Sequence, residues 1–271
     1  MATLVASSSS SSSESGTNSK AATKTKSTEG GNTIMNQKFC ALDNKTSTSF
    51  CNRVPSNTRF EALPNELEMI EFLREHFITS EPILSSLCIS NTDELTVLLT
   101  DVVNDCMTCP ASNAIRDIGS GRLLGVCLAS RSCLFEKQMD RLFSYEFSDP
   151  QLRIAIEFLK SVFNRADVAY HLEENNISKP VFVAIIAVHA NFWNKGIGSA
   201  LLDKCLASAV EDRCDGALAL CSSSRASRLM LKRLRNVVCR TRYCDYRGEY
   251  RNPPIAPSPT ESALHVLLTK L

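Results

Sequence analysis

The sequence has almost no imbalance of charge: 30 Lys and Arg stand against 29 Asp and Glu, a formal net of +1. A broad basic face for nucleic acid is therefore not expected, although a local patch stays open. No apolar run approaches the ~20 residues needed to span a bilayer, so no membrane anchor is read from the chain. No secretory signal opens it, which points to the cytoplasm and to 12 reduced cysteines. Cys106 and Cys109 have CxxC spacing, but no second pair follows at ligand spacing, so no metal is expected. Cys88, Cys127, Cys205 and Cys221 lie in apolar segments and read as small core residues. No internal repeat is present. Residues 1–57 are poor in apolar side chains: residues 7–13 are all serine, and Ser, Thr, Asn and Lys dominate the rest. Such a segment cannot bury enough apolar surface to offset its ordering entropy. The expected organisation is a disordered tail, 1–57, followed by one folded domain, 58–271. A serine-rich, acid-poor start is also the composition of an organelle transit peptide, yet no arginine precedes Arg53.

What the chain does contain centres on residues 181–210, VFVAIIAVHANFWNKGIGSALLDKCLASAV. The apolar, β-branched run 181–188 predicts a strand buried on both faces. After Gly196-Ile197-Gly198 the period changes. Ile197, Leu201, Cys205 and Ala209 fall four apart, with Leu202, Leu206 and Val210 beside them, the wide stripe of a core-packed helix. Strand, glycine turn and helix thus follow in order. The first amides of such a helix have no partner within it and, with the helix dipole, favour an anion such as phosphate. The spacing alone leaves two readings open, a phosphate-binding turn and a tight structural turn. A dinucleotide fingerprint needs a third glycine, which residues 199–202 do not supply. A nucleoside-triphosphate loop needs Gly-Lys-Ser/Thr, whereas Lys195 precedes Gly196.

Around this centre the pattern predicts a strand at 59–63 and a helix from Pro64 to Phe77, striped by Leu67, Ile70 and Leu73. Pro82 breaks it by disfavouring helix at Glu81. Asn91 or Thr92 can cap a second helix to about Cys106. Strands at 115–117 and 123–129 form a hairpin across Gly119-Ser120-Gly121. Residues 150–163 are helical by period. The stretch 164–179 has no clear period and leaves room for a further helical piece. Strands are predicted at 217–221, 237–242 and 263–270, with a helix at 227–234 and a proline-rich loop at 253–259.

The strand, the Lys-Gly-Ile-Gly turn and the amphipathic helix together resemble the acyl-CoA-binding motif of the GNAT superfamily of N-acetyltransferases. Its usual form is Arg/Gln-x-x-Gly-x-Gly/Ala; here Trp193 stands at the Arg/Gln position. The opening Glu71-Phe72-Leu73-Arg74-Glu75-His76-Phe77 with Ser80-Glu81-Pro82-Ile83-Leu84, and the ending LHVLLTKL at 264–271, resemble the invertebrate arylalkylamine, dopamine-acetylating type. The resemblance implies an α/β (α+β) GNAT fold: a mixed, mostly antiparallel central sheet flanked by helices and splayed at its central strand. It implies acetyl-CoA as co-substrate, held by Val188, Trp193, Asn194, Lys195, Gly196, Ile197, Gly198 and Ser199. It implies Glu81 as general base, since Glu81 matches the glutamate of that group's Asp-Glu-Pro-Leu motif. It also implies two serines four residues apart, Ser223 and Ser227.

Bland readings stand beside these. Glu81 could be a solvated loop residue, and residues 222–224 suit a helix cap. His189 could aid proton transfer or be a structural, hydrogen-bonded histidine. Ser86, Cys88, Phe143 and Tyr145 are candidates for an amine pocket. The basic run 225–242 reads as a solvated helix face or as help in holding an acidic cofactor. The activity expected is acetyl transfer from acetyl-CoA to a small primary amine, an arylalkylamine, by direct attack in a monomer. A non-catalytic acyl-CoA-binding or scaffold protein, and an acetyltransferase for protein amines, are the alternatives.

Overall fold

The computed structural model describes residues 54–89, 92–131 and 139–271. The expected tail lies outside these residues except for its last four. Those four belong to the domain. Val54 packs against the core, and the Asn57 carbonyl accepts from the Ile118 amide at 2.9 Å. The fold therefore starts before residue 58.

In chain order the elements are β1 (Thr58–Glu61), α1 (Glu66–His76), α2 (Pro82–Ser86), α3 (Thr92–Met107), β2 (Asn113–Asp117), β3 (Leu123–Arg131), α4 (Pro150–Ala166), α5 (Val168–Glu174), β4 (Pro180–Val188), α6 (Ile197–Glu211), β5 (Gly216–Cys221), α7 (Ser224–Met230), β6 (Asn236–Arg242) and β7 (Ala263–Lys270). Pro64 stays outside α1, because the Asn65 side chain accepts from the Glu68 amide at 3.0 Å and starts the helix there. α7 begins and ends earlier than its expected 227–234, because Ser223 caps it. Among the described residues no helix is long and apolar enough to cross a membrane.

The strands form one seven-stranded sheet in the order β1-β2-β3-β4-β5-β7-β6. Every pair is antiparallel except β4 with β5. α6 covers one face. Its Ile197, Leu201 and Leu202 are at most 1 % exposed. Burying each such side chain contributes roughly 1.5–3 kcal/mol before ordering entropy is subtracted. Leu206 is only partly buried and Val210 is 51 % exposed, so the second row of the predicted stripe turns to solvent at its end. α1, α3 and α4 supply the core on the other face. Cys127, Cys205 and Cys221 are buried as expected; Cys88 is exposed, at a positive φ of 50° just after α2.

Two features of β4 open the sheet. It pairs with β5 only from Pro180–Val183 against Gly216–Ala219, and the strands then part. At the same place β4 carries a bulge: Leu128 faces Ile185 and Ala129 faces Val183, so Ala184 has no counterpart on β3. The extra residue shifts the alternation by one. Val181 and Val183 point to α6, and beyond the bulge Ile186 and Val188 take over that side.

Candidate active site

The parting of β4 and β5 is filled by a cavity of about 400 Å³, walled by residues 184–188 of β4, by Leu220, Cys221 and Ser222 at the end of β5, and by side chains of α1, α2, α3 and α4. Most of that wall is aliphatic. Its polar groups gather at a few places.

Glu81 is the most deeply placed of them. It follows the 3₁₀ turn Ile78–Ser80 and precedes Pro82, the first residue of α2, so the chain must stay extended there, at φ −76° and ψ 122°. Its carboxylate caps α2 and accepts from the Leu84 amide at 2.7 Å. Pro82 and Ile83 are buried beside it, and Glu81 itself is 8 % exposed. Burial pushes its pKa up; the Leu84 amide, the Ser222 hydroxyl and the Ile83 amide pull it back, and the charge of Glu261 adds to the rise. The solvated-loop alternative does not describe this carboxylate.

The Ser222 side chain hydrogen-bonds Glu81, and its carbonyl accepts from the Tyr243 hydroxyl at 2.5 Å. Ser223 also borders the cavity. It caps α7 by accepting from the Ala226 amide at 3.0 Å. Ser227 is elsewhere: its hydroxyl lies 3.0 Å from Nδ1 of His265 on β7, and it takes no part in the cavity wall. The expected pairing of Ser223 and Ser227 on one helical face fails because Ser223 is an extended cap, φ −105° and ψ 151°, not a helical residue. Glu261, from the loop before β7, completes the polar set and holds the Ser224 amide and hydroxyl.

The glycine turn closes the other side. Asn194 and Gly196 both have left-handed backbone, φ 62° and 81°. Among the described residues, none of the amides of residues 194–199 donates to a protein acceptor. Gly198 lies where α6 meets α7: an added Cβ would stand 3.4 Å from Leu229 Cδ2 and 3.7 Å from Val188 Cγ2. Trp193 does not point away. Its Nε1 donates to the Val188 carbonyl at 2.8 Å, and the Arg225 guanidinium carbon lies 4.0 Å from the centre of its ring. The Lys195 ammonium rests 4.5 Å from the Phe192 ring.

At the far wall stand Phe143, Tyr145, Asp101, Asp105 and Arg141. Tyr145 hydrogen-bonds Asp101, which holds its phenol pKa up, and Arg141 pairs with both aspartates. Ser86 and Cys88 do not reach the cavity; the Ser86 hydroxyl donates to the Ile83 carbonyl at 3.0 Å. His189 accepts from the Asn191 amide and lies 4.2 Å, ring to ring, from His76, which does border the cavity. Burial lowers the His76 pKa. Among the described residues no set of three or more metal-ligating side chains converges.

Sequence reasoning missed Ser222, Glu261 and the pair of aspartates. The serine run 222–224 carried a signal for the first. Glu261 and the aspartates had none, since only the folded topology brings them to Glu81's cavity.

Residues 168–234, from α5 to α7, match the family model described as Acetyltransferase (GNAT) family. Among curated proteins none matches the chain. Solved structures with the same fold include arylalkylamine N-acetyltransferase 2 from Aedes aegypti, at 19 % identity and a TM-score of 0.68, covering 79 % of this chain and 99 % of that one. An agmatine N-acetyltransferase has 14 % identity and a TM-score of 0.65, covering 79 % and 100 %. The Drosophila melanogaster polyamine N-acetyltransferase has 14 % identity and a TM-score of 0.63, with the same coverage. The mixed, mostly antiparallel sheet with flanking helices is thus the GNAT fold, and family match and fold together support an N-acetyltransferase.

Proposed function

We propose that this acetyltransferase (GNAT) domain transfers an acetyl group from acetyl-CoA to a small primary amine, an arylalkylamine in the first instance. The observation that carries the reading is a buried carboxylate, Glu81, in an apolar cavity at the parting of β4 and β5, with a turn of unpartnered amides at residues 194–199 on the other side.

In this reading the pyrophosphate of acetyl-CoA rests on the amides of Asn194, Lys195, Gly196, Ile197, Gly198 and Ser199, and its pantetheine arm runs between the parted strands past Val188 and Trp193. The amine enters as an ammonium ion, drawn by Glu81 and Glu261. Glu81 takes one proton, directly or through a water, and frees the nitrogen lone pair. The nitrogen bonds to the thioester carbonyl carbon. Charge develops on the carbonyl oxygen, for which the unpaired bulge residue Ala184 offers backbone. The carbon–sulfur bond then breaks. The nitrogen, which still carries one proton too many for an amide, gives it to the departing sulfur, directly or through a water, so that CoA leaves as its thiol. Glu81 returns its own proton to solvent. The Ser223 hydroxyl, which accepts from the Ala226 amide, keeps its proton to hydrogen-bond that sulfur. Ser222 keeps Glu81 oriented, and Ser227 takes no step. Attack is direct, because Cys221, the cysteine in the wall, has its pKa pushed up to about 12 by burial and is a poor nucleophile.

Phe77, Phe143 and Tyr145 in the wall favour an aromatic acceptor. Asp101 and Asp105 favour a second reading, an acceptor with another cationic group at its far end. Purified protein, acetyl-CoA and a panel of arylalkylamines, diamines and peptide N-termini, followed by release of free thiol, separates the two. Turnover confined to peptides assigns a protein-amine activity, and CoA binding without turnover of any amine assigns a binding protein. Asp101→Asn should depress kcat/KM for diamines more than for arylalkylamines if the second reading holds.

A further inference from the structure

We infer that Arg225, from α7, is the phosphate ligand that replaces the Arg or Gln missing at position 193; the inference rests on the acetyl-CoA reading above. The indole of Trp193 is fixed by its bond to the Val188 carbonyl, 2.8 Å, and Arg225 lies on it at 4.0 Å. α7 is docked on the glycine turn, since Leu229 stands 3.4 Å from where a Gly198 Cβ would be. Arg225 is four residues before Leu229 and so shares that face of the helix. Arg225, Trp193 and Gly198 all border the main cavity, and Arg225 and Trp193 also border the polar recess beside it.

The charge of Arg225 is uncommitted. It is exposed and, among the described residues, pairs with no carboxylate, whereas Arg233 and Arg242 of the same basic run are paired with Asp203 and Asp245. A guanidinium held against an indole by the attraction of a cation for the ring keeps the N–H donors that do not face the ring, and these suit two phosphate oxygens at once. Trp193 thus orients a cation that another element supplies. The loss of the usual side chain at position 193 and the presence of Arg225 become one arrangement.

Calorimetric titration with CoA and thiol release from two acetyl donors test this. Acetyl-pantetheine is the second donor, because it lacks every phosphate. Arg225→Ala should weaken CoA binding about ten- to a hundredfold, the loss of a charge-assisted contact. The preference in kcat/KM for acetyl-CoA over acetyl-pantetheine should fall by a similar factor. Trp193→Arg added to Arg225→Ala should restore much of the affinity, since it returns a cation to the same place. Unchanged CoA affinity in Arg225→Ala overturns the assignment. So does an equal loss with both donors, which is what a purely structural role would give. Wild-type protein that binds no CoA at millimolar concentration overturns the acetyl-CoA reading itself, and Arg225's role with it.

Discussion

Exchanging Glu81 for glutamine removes one charge and little else. The amide oxygen can still accept from the Leu84 amide, and its volume matches, so α2 keeps its cap. Two consequences separate a catalytic from a structural carboxylate. The first is in rate. General-base help is worth about 10²–10⁴-fold, so kcat/KM for the best amine should fall by at least the lower figure. In the wild type, kcat/KM should rise with pH through a limb set by Glu81, above the ordinary carboxylate range because burial disfavours its charge. Glu81→Gln should lack that limb and keep only the rise due to the amine itself. The second is in stability. A carboxylate whose folded pKa is raised binds its proton more tightly when folded. Its contribution is complete below the unfolded value of about 4.3 and is lost as pH rises through the folded value, by at most about 1.4 kcal/mol per pH unit. The melting temperature of Glu81→Gln relative to wild type should therefore climb as pH is raised from about 4 to about 8, a span from the unfolded value to the upper reach of buried carboxylates. Thiol release across pH and calorimetric melting of both proteins measure the two effects. A Glu81→Gln enzyme with the wild-type pH–rate profile would refute the assignment, whatever the stability result.

Ser222→Ala removes a hydrogen bond that holds the Glu81 pKa down, so the acid limb of the pH–rate profile should move upward in pH while the limb itself persists. Gly196→Ala places a Cβ on a backbone with φ 81°, which should cost about 1–2 kcal/mol in chemical denaturation and weaken CoA in titration. Truncation after residue 57 should lower the melting temperature relative to truncation after residue 53, because only the longer cut removes the Asn57 carbonyl and Val54 from their contacts. Thiol release across pH checks the first of these; denaturation, CoA titration and melting of purified variants check the other two.

The strand, turn and helix at the centre were legible because each has its own sign: a β-branched run, glycines at a left-handed turn, and a four-residue apolar period. Glu81 was singled out by its match to the Asp-Glu-Pro-Leu motif; Pro82 by itself signalled only extended backbone before a new helix. The bulge at Ala184 was hidden, because a strand apolar on both sides reads the same in either register. Of the two serines expected at the site, Ser223 borders the cavity and Ser227 does not, while Ser222 beside them hydrogen-bonds Glu81. A run of three serines does not tell which is the cap, and the choice of cap decides which hydroxyl meets Glu81. α5 lies in the stretch 164–179 where room was left for a helical piece; it showed no clear period because it is a single short helix that shares Asp167 with the end of α4. Glu261 lies 180 residues from Glu81 in the chain (261 minus 81), and no local pattern reports a meeting across that span.

The parting of β4 and β5 has a consequence for how firmly the empty protein holds itself. From Ile185 to Val188, β4 keeps a partner on one side only, and so does β5 at Leu220 and Cys221. Two edges thus lie inside a sheet rather than at its rim, where strands are normally guarded. Amide hydrogens along them should exchange with solvent earlier than those of residues 181–183, which have partners on both sides. An extended ligand lying between the edges would complete the sheet much as an added strand does, and slow that exchange in one stretch on each flank. The molecule would then be at its most cohesive only when loaded, with the ligand serving as a seam in its own scaffold.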